Sequence, residues 1–257
     1  MSSMSWRPKG NDLGLVTSKR ARWSGRRIAP TNKPPPLAQP AEAVTIDLRS
    51  ALRVYAITPD SFTRPEHYAA AVGVAVKAGV RVVQYRFKGE RSWENSCRCA
   101  RTVVDVCRGA GALAIINDSV ELALEVGADG VHLEPEDGSP VGLPSTLIVG
   151  ASAGTPHAAL KLVESGVSYL GVGAIYDARP TKVNASAPRG VDVLRRVRAT
   201  PGLESIPLVA IGGITADRAA ECLEAGADGV AAIRGILGAR DVRAAVGAYL
   251  AQTVTQR

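Results

Sequence analysis

The sequence predicts a (β/α)8 barrel preceded by a disordered N-terminal extension, and three observations carry that prediction. From Arg53 onward, amphipathic segments end five times at a glycine and lead within a few residues into a short apolar run: KAGVRVVQY (77 to 85), RGAGALAII (108 to 116), EVGADGVHL (125 to 133), ESGVSYLGV (164 to 172) and EAGADGVAA (224 to 232). Glycine suits the left-handed turn at a helix C-terminus, and a short run that is apolar on both faces suits a buried parallel strand. Eight such runs can be counted, which is the number a barrel needs. The third and fifth glycine segments are nearly identical although they begin 99 residues apart, at 125 and 224, as expected of a chain assembled from repeated βα units. A doubly wound open sheet is the alternative arrangement of the same units.

Residues 1–50 form the extension. They hold nine Lys/Arg against three Asp/Glu, whereas residues 51–257 hold 22 against 21, so the net charge of +7 belongs mostly to the tail and the barrel is nearly neutral. The tail is rich in Ser, Pro and Arg without hydrophobic periodicity, and Pro34, Pro35 and Pro36 stop any helix. Arg26 and Arg27 are not followed by an apolar stretch, which argues against a secretory signal, while the Ser- and Arg-rich, acid-poor start is compatible with an organelle transit peptide. A neutral barrel argues against nucleic acid as a partner, and no apolar run reaches the roughly 20 residues of a membrane span. Cys97, Cys99, Cys107 and Cys222 lack zinc-site spacing and are too sparse for a disulfide framework. They read as reduced packing residues, and the expected setting is cytoplasmic. A homo-oligomer is compatible with all of this.

The strands are expected at 53–57, 81–86, 112–116, 129–133, 146–150, 168–172, 207–211 and 228–232. Only Gly138 to Ser145, with two prolines and two glycines, joins the fourth and fifth, so that crossover is expected to lack a full helix. In a barrel the site is built at the carboxyl ends of the strands, and five of these carry unusual chemistry. The second ends in QYRFK, where side-chain alternation puts Gln84, Arg86 and Lys88 on one face. Two inward cations call for a polyanion. The third and fourth strands belong to one βαβ unit with acids at both exits, Asp118 and Asp137, and a right-handed crossover brings them to the same edge of the sheet. Two carboxylates without Cys or His suit a hard cation such as Mg²⁺. Asp118 with Glu121 also reads as a capping box, Asn117 as an amide for a phosphate or as a turn residue, and His132 as a satisfied core histidine more than a base.

The fifth strand leads into Gly150-Ala151-Ser152-Ala153-Gly154-Thr155, where Ser152 serves an anion or the turn and Thr155-Pro156 reads as a helix start. A long loop, Gly173 to Gly190, follows the sixth strand and carries Arg179, Thr181 and Lys182, as a phosphate-clasping lid would. The seventh ends in AIGGIT, with Gly212, Gly213 and the Thr215 cap, and the eighth in Ile233-Arg234-Gly235, which is where barrels commonly hold a phosphate. The site thus makes two anion demands, one cationic and metal-assisted, one from backbone N–H groups.

QYRFK, IINDSVELALEVGADGVHL with its following acids, GVGAIY with the later TK, IPLVAIGGIT and EAGADGVAAI, in this order, resemble the thiamine phosphate synthase family and its relatives the thiazole tautomerases over about residues 53 to 250. The resemblance implies a transferase that joins a hydroxymethylpyrimidine diphosphate to a thiazole phosphate with Mg²⁺, releasing diphosphate. It implies that Gln84 contacts the pyrimidine, that Arg86, Lys88 and Lys182 hold the diphosphate beside Asn117, and that Asp118 and Asp137 bind Mg²⁺. Thr181 and Ser152 complete the polar shell, and Gly212, Gly213, Ile233 and Arg234 hold the thiazole phosphate. The reaction begins, on this pattern, with diphosphate departure and trapping of a pyrimidine methyl cation by the thiazole nitrogen. Four departures stand out: Glu134-Pro135 replaces Gly-Gln, Gly154 replaces a His, the sixth loop is one residue longer with Ala178 or Arg179 in place of a Thr, and Arg234 replaces a Ser. A tautomerase-like enzyme needing only the monophosphate half, and a non-catalytic phosphate-binding barrel, are the alternatives.

Overall fold

A computed structural model of the chain describes residues 47–135, 137, 139–178 and 187–254. Residues 1–46 of the predicted extension, and Arg179, Thr181 and Lys182 of the sixth loop, lie outside the described residues.

Eight parallel strands close into a barrel in chain order. They are β1 (Val54–Ile57), β2 (Val82–Tyr85), β3 (Leu113–Asn117), β4 (Gly130–Leu133), β5 (Ile148–Ala153), β6 (Tyr169–Gly173), β7 (Leu208–Ile211) and β8 (Gly229–Ala232). The open-sheet alternative is excluded because β1 pairs with β8, Val54 opposite Val230 and Ala56 opposite Ala232. A short helix, α1 (Leu48–Ala51), precedes β1 and starts within the stretch read as tail. The outer helices are α2 (Pro65–Lys77), α3 (Trp93–Gly109), α4 (Val120–Val126), α5 (Pro156–Glu164), α6 (Asp192–Arg198), α7 (Ala216–Glu224) and α8 (Val242–Val254). Among the described residues no helix lies between β4 and β5, as the prolines and glycines there require. No helix among them is long and apolar enough to cross a membrane.

Each of the five glycines read as helix stops has a positive φ, from 63° at Gly111 to 120° at Gly79. The helices then bury one stripe apiece. On α3, Cys99, Ala100, Val103, Val104 and Cys107 are buried and the opposite face is polar, and each large apolar side chain so buried contributes about 1.5–3 kcal/mol.

One boundary departs from expectation. The sequence predicts the fifth strand at 146–150, but β5 runs to Ala153 because Gly150, Ala151, Ser152 and Ala153 pair in register with Tyr169, Leu170, Gly171 and Val172. Small residues that read as a loop are strand here because they leave room. A Cβ on Gly150 would lie 2.1 Å from the Tyr169 ring, and one on Gly171 would lie 3.0 Å from the His132 ring. In a barrel with so few aromatics, these absences let a tyrosine and a histidine fit inside it.

Candidate active site

At the carboxyl end of the strands a cavity opens, with about 510 Å³ of empty space including its mouth. Its apolar floor is made by Ile57, Val209, Ile211, Ala231 and Ile233, and its polar wall by Tyr55, Gln84, Arg86, Asn117, His132, Ser152 and Tyr169. These alternate along the strands with residues that face the helices, so period-two geometry aims them inward.

A hydrogen-bonded chain crosses this wall. Gln84 Nε2 donates to Tyr55 Oη (3.1 Å), Tyr55 Oη meets Tyr169 Oη (2.9 Å), Tyr169 Oη meets His132 Nδ1 (3.0 Å), and His132 Nε2 meets Ser152 Oγ (3.1 Å). Gln84 supplies only a hydrogen at its nitrogen, so the hydrogens can run one way. Run that way, Tyr55 would donate to Tyr169, Tyr169 to His132 Nδ1, and His132 Nε2–H to Ser152, whose own hydroxyl hydrogen would then face the cavity. Burial pushes the pKa of Tyr55 and of Tyr169 up, which keeps both phenols protonated as this chain needs. Ser152 is therefore a strand residue facing the cavity and not a turn residue. His132 is the satisfied interior histidine the sequence suggested, but it also lines the cavity, a location that its place five residues before Asp137 could have signalled.

The sequence calls for a polyanion opposite the QYRFK cations, and in the structure each of the two also has an aspartate. Arg86 Nη1 is paired with Asp60, at 3.0 and 2.8 Å to its two oxygens, and its side chain is 8% exposed. Asp60 Oδ1 also accepts from the Lys88 backbone N–H (3.0 Å), so one carboxylate after β1 fixes both ends of the Arg86–Lys88 segment. Thr58 Oγ1 accepts from Arg86 N and donates to Arg86 O, tying β1 to β2. Asp60 was missed because a Pro-Asp-Ser sequence reads as a turn. The Lys88 ammonium pairs with Asp118 Oδ2.

The capping expectation for Asp118 is corrected. Ser119 is the N-cap of α4, its Oγ accepting from Leu122 N at 3.1 Å, and Asp118 sits just outside the helix in the left-handed region at φ 65°. With the cap supplied by its neighbour, the Asp118 carboxylate is turned to the rim. Its Oδ1 is buried and has no hydrogen-bond partner among the described residues. Asp137 stands next to it, its Oδ2 accepting from Glu134 N at 2.7 Å. Burial first, and the neighbouring Asp118 carboxylate next, raise the Asp137 pKa above the ordinary carboxylate value. The two acids therefore approach each other as the βαβ reading requires, and their contact becomes a hydrogen bond only while one of them carries a proton. Two hard oxygen donors, one of them orphaned in a buried position, fit a divalent cation.

On the opposite rim, Gly212 and Gly213 both have positive φ (99° and 64°) after β7. Without side chains, the two glycines let backbone N–H groups approach an anion closely, just before the start of α7. They also meet a second need: a Cβ on Gly212 would lie 2.6 Å from Ala174 Cβ and one on Gly213 2.5 Å from Asp177 O, so the β6 exit packs on them. Thr215 occupies the N-cap position without making a side-chain cap bond. Ile233 lines the cavity, and Arg234 is exposed beside it.

Residues 54–236 match the family described as thiamine monophosphate synthase. The chain is 42% identical over 197 residues to the thiamine-phosphate synthase of Chloroflexus aurantiacus, covering 75% of this chain and 88% of that one. It is 40% identical over 214 residues to the thiamine-phosphate synthase of Geobacillus kaustophilus, covering 81% and 94%. The thiamine phosphate pyrophosphorylase of Pyrococcus furiosus superposes with a TM-score of 0.70 at 34% identity, over 80% of this chain and 98% of that structure. A barrel with the paired acids, the QYRFK cations and the Gly-Gly corner, matched over most of its length by these proteins, belongs to the thiamine monophosphate synthase family.

Proposed function

We propose that this protein is a thiamine phosphate synthase: a transferase that couples hydroxymethylpyrimidine diphosphate to thiazole phosphate and releases diphosphate, with Mg²⁺ bound by Asp118 and Asp137. The observation that carries the metal half of this reading is the buried, unpartnered Asp118 Oδ1 beside Asp137, at the β3 and β4 exits whose neighbouring Asn117 and Glu134 line the cavity. A magnesium ion held there would neutralise charge on the leaving diphosphate.

The chain's own residues have the remaining roles. Arg86 and Lys88 supply positive charge to the same leaving group, and Asp60 keeps them in place before substrate arrives. Lys88 exchanges its Asp118 partner for a phosphoryl oxygen, which frees the second Asp118 oxygen for the metal. Gln84, its nitrogen committed to Tyr55, presents its oxygen to a donor on the pyrimidine, and Ser152 presents its hydroxyl. The apolar floor excludes water from a cationic pyrimidine, while the thiazole phosphate is held by the Gly212-Gly213 backbone so that its ring nitrogen faces the exposed carbon. No general base is required, because the attacking nitrogen carries a free electron pair. Buried free thiols at Cys99, Cys107 and Cys222 support a reducing, cytoplasmic setting.

The test is turnover of the two substrates by purified protein with and without Mg²⁺, alongside Asp118→Ala. Product formed only with the metal and lost in the variant is the expected result; full activity in the variant would reject the metal assignment, and no coupling by the wild type would reject the reading.

A further inference from the structure

We propose that Arg189 is a phosphoryl-binding residue of this site and that Gly154 is the residue that makes room for it. The proposal rests on the transferase reading for the identity of the anion. Gly154 follows β5, two residues beyond Ser152, where the resemblance led to an expected imidazole and the chain has no side chain at all. The space is occupied from elsewhere. A Cβ built on Gly154 would lie 2.8 Å from Arg189 Nη2, 2.9 Å from Cζ and 3.3 Å from Nε, so the guanidinium lies directly against the Gly154 backbone.

It is held there. Arg189 Nε donates to Gly173 O at the end of β6 (3.2 Å), its backbone N–H donates to Ala174 O (2.9 Å), and the next residue, Gly190, donates to Ile175 O (3.0 Å). The chain segment and the near edge of the guanidinium are thus tied to the β6 exit, leaving the Nη groups for another partner. Arg189 is exposed and, among the described residues, has no ion-pair partner. That separates it from Arg86 and Lys88, each of which already has an aspartate. A fixed guanidinium at the rim of an anion site, with donors uncommitted, suits a phosphoryl oxygen. Its position over β5 and β6 lies between the acids of β3 and β4 and the glycines after β7. Both the leaving diphosphate and the thiazole phosphate carry the chemistry it would bind.

Full-length wild type, Arg189→Ala, Arg189→Lys and Gly154→Ala are compared by calorimetry with pyrophosphate plus Mg²⁺ and, separately, with inorganic phosphate, and by the KM of each substrate. Arg189→Ala is expected to weaken one of the two anions about tenfold and to raise the matching KM in proportion, with the other KM and the melting temperature unchanged. Loss for pyrophosphate assigns Arg189 to the leaving group; loss for phosphate assigns it to the acceptor. Gly154→Ala, whose methyl group displaces the guanidinium, is expected to weaken the same anion, and Arg189→Lys to recover part of the affinity. Unchanged affinities and unchanged KM values in Arg189→Ala would overturn the proposal while leaving the transferase reading intact. Arg189-dependent anion binding by a protein that forms no product would uphold it and overturn that reading.

Discussion

Both ends of the barrel pair an aspartate with a basic side chain, and they satisfy it differently. At the amino-terminal end, Asp228 accepts from Arg49 Nη1 on one oxygen and from Arg198 Nη2 (2.7 Å) and Leu208 N (2.8 Å) on the other. Arg198 spends its remaining donors on the carbonyls of Gly226, Leu203, Glu204 and Ile206. At the carboxyl end, Asp118 has Lys88 on one oxygen, nothing among the described residues on the other, and a second carboxylate beside it. The lower cluster is closed and ties α1, α6, β7 and β8 together. The upper one leaves a buried carboxylate oxygen without a partner among the described residues, as the proposed cation site requires.

The largest expected effect tests the upper cluster. Asp118→Asn keeps the shape but removes the charge, so turnover should fall by about 10²–10³-fold while the free energy of unfolding in urea stays level or rises. A variant that lost stability along with activity would show the upper acids to be structural after all, and the contrast between the two ends would collapse.

Asp228→Ala is the mirror experiment. It leaves two guanidinium groups and the Leu208 N–H without their acceptor, and breaking so well connected a pair costs about 3 kcal/mol. Urea unfolding should show that loss, whereas kcat and both KM values of the remaining native protein should not move.

What the sequence made legible follows the same division. The strands and the glycine helix stops were readable because each rests on local backbone chemistry, and β5 was shortened because its small residues are explained only by Tyr169 across the barrel. Asp118 and Asp137 could be paired from the βαβ topology. The partner of Arg86 could not, since Asp60 comes from a different loop, 26 residues away, and its own neighbours suggest a turn. Arg189 against Gly154 was equally invisible, because an absent side chain announces nothing about what fills its place.

A smaller effect lies between the two ends, in the hydrogen-bonded chain from Gln84 to Ser152. Tyr169→Phe removes the hydroxyl that links Tyr55 to His132 Nδ1. The expected cost is about 1 kcal/mol of stability, with a several-fold rise in KM for the pyrimidine diphosphate and little change in KM for the thiazole phosphate, since the two ends of the chain, Gln84 and Ser152, are the groups proposed to face the pyrimidine. Equal changes in both constants would mean that the chain acts on the whole barrel and not on one substrate.

The smallest effect is the pH dependence that separates a repulsive cluster from a closed one. Asp137 has its pKa raised from 3.8 in the folded protein, by burial and then by Asp118. The folded state therefore holds that proton more tightly than the unfolded chain does. Its contribution to stability is fully present below the unfolded value and is lost as the pH rises through the higher folded value, after which it is constant. Unfolding free energies measured across that window without divalent cation should decline with pH at this residue. Asp118→Asn removes the like charge but not the burial, so the decline should shrink without vanishing. An identical pH profile in the two proteins would mean that the acids do not feel each other, and the case for a shared cation at the upper end would fall with it.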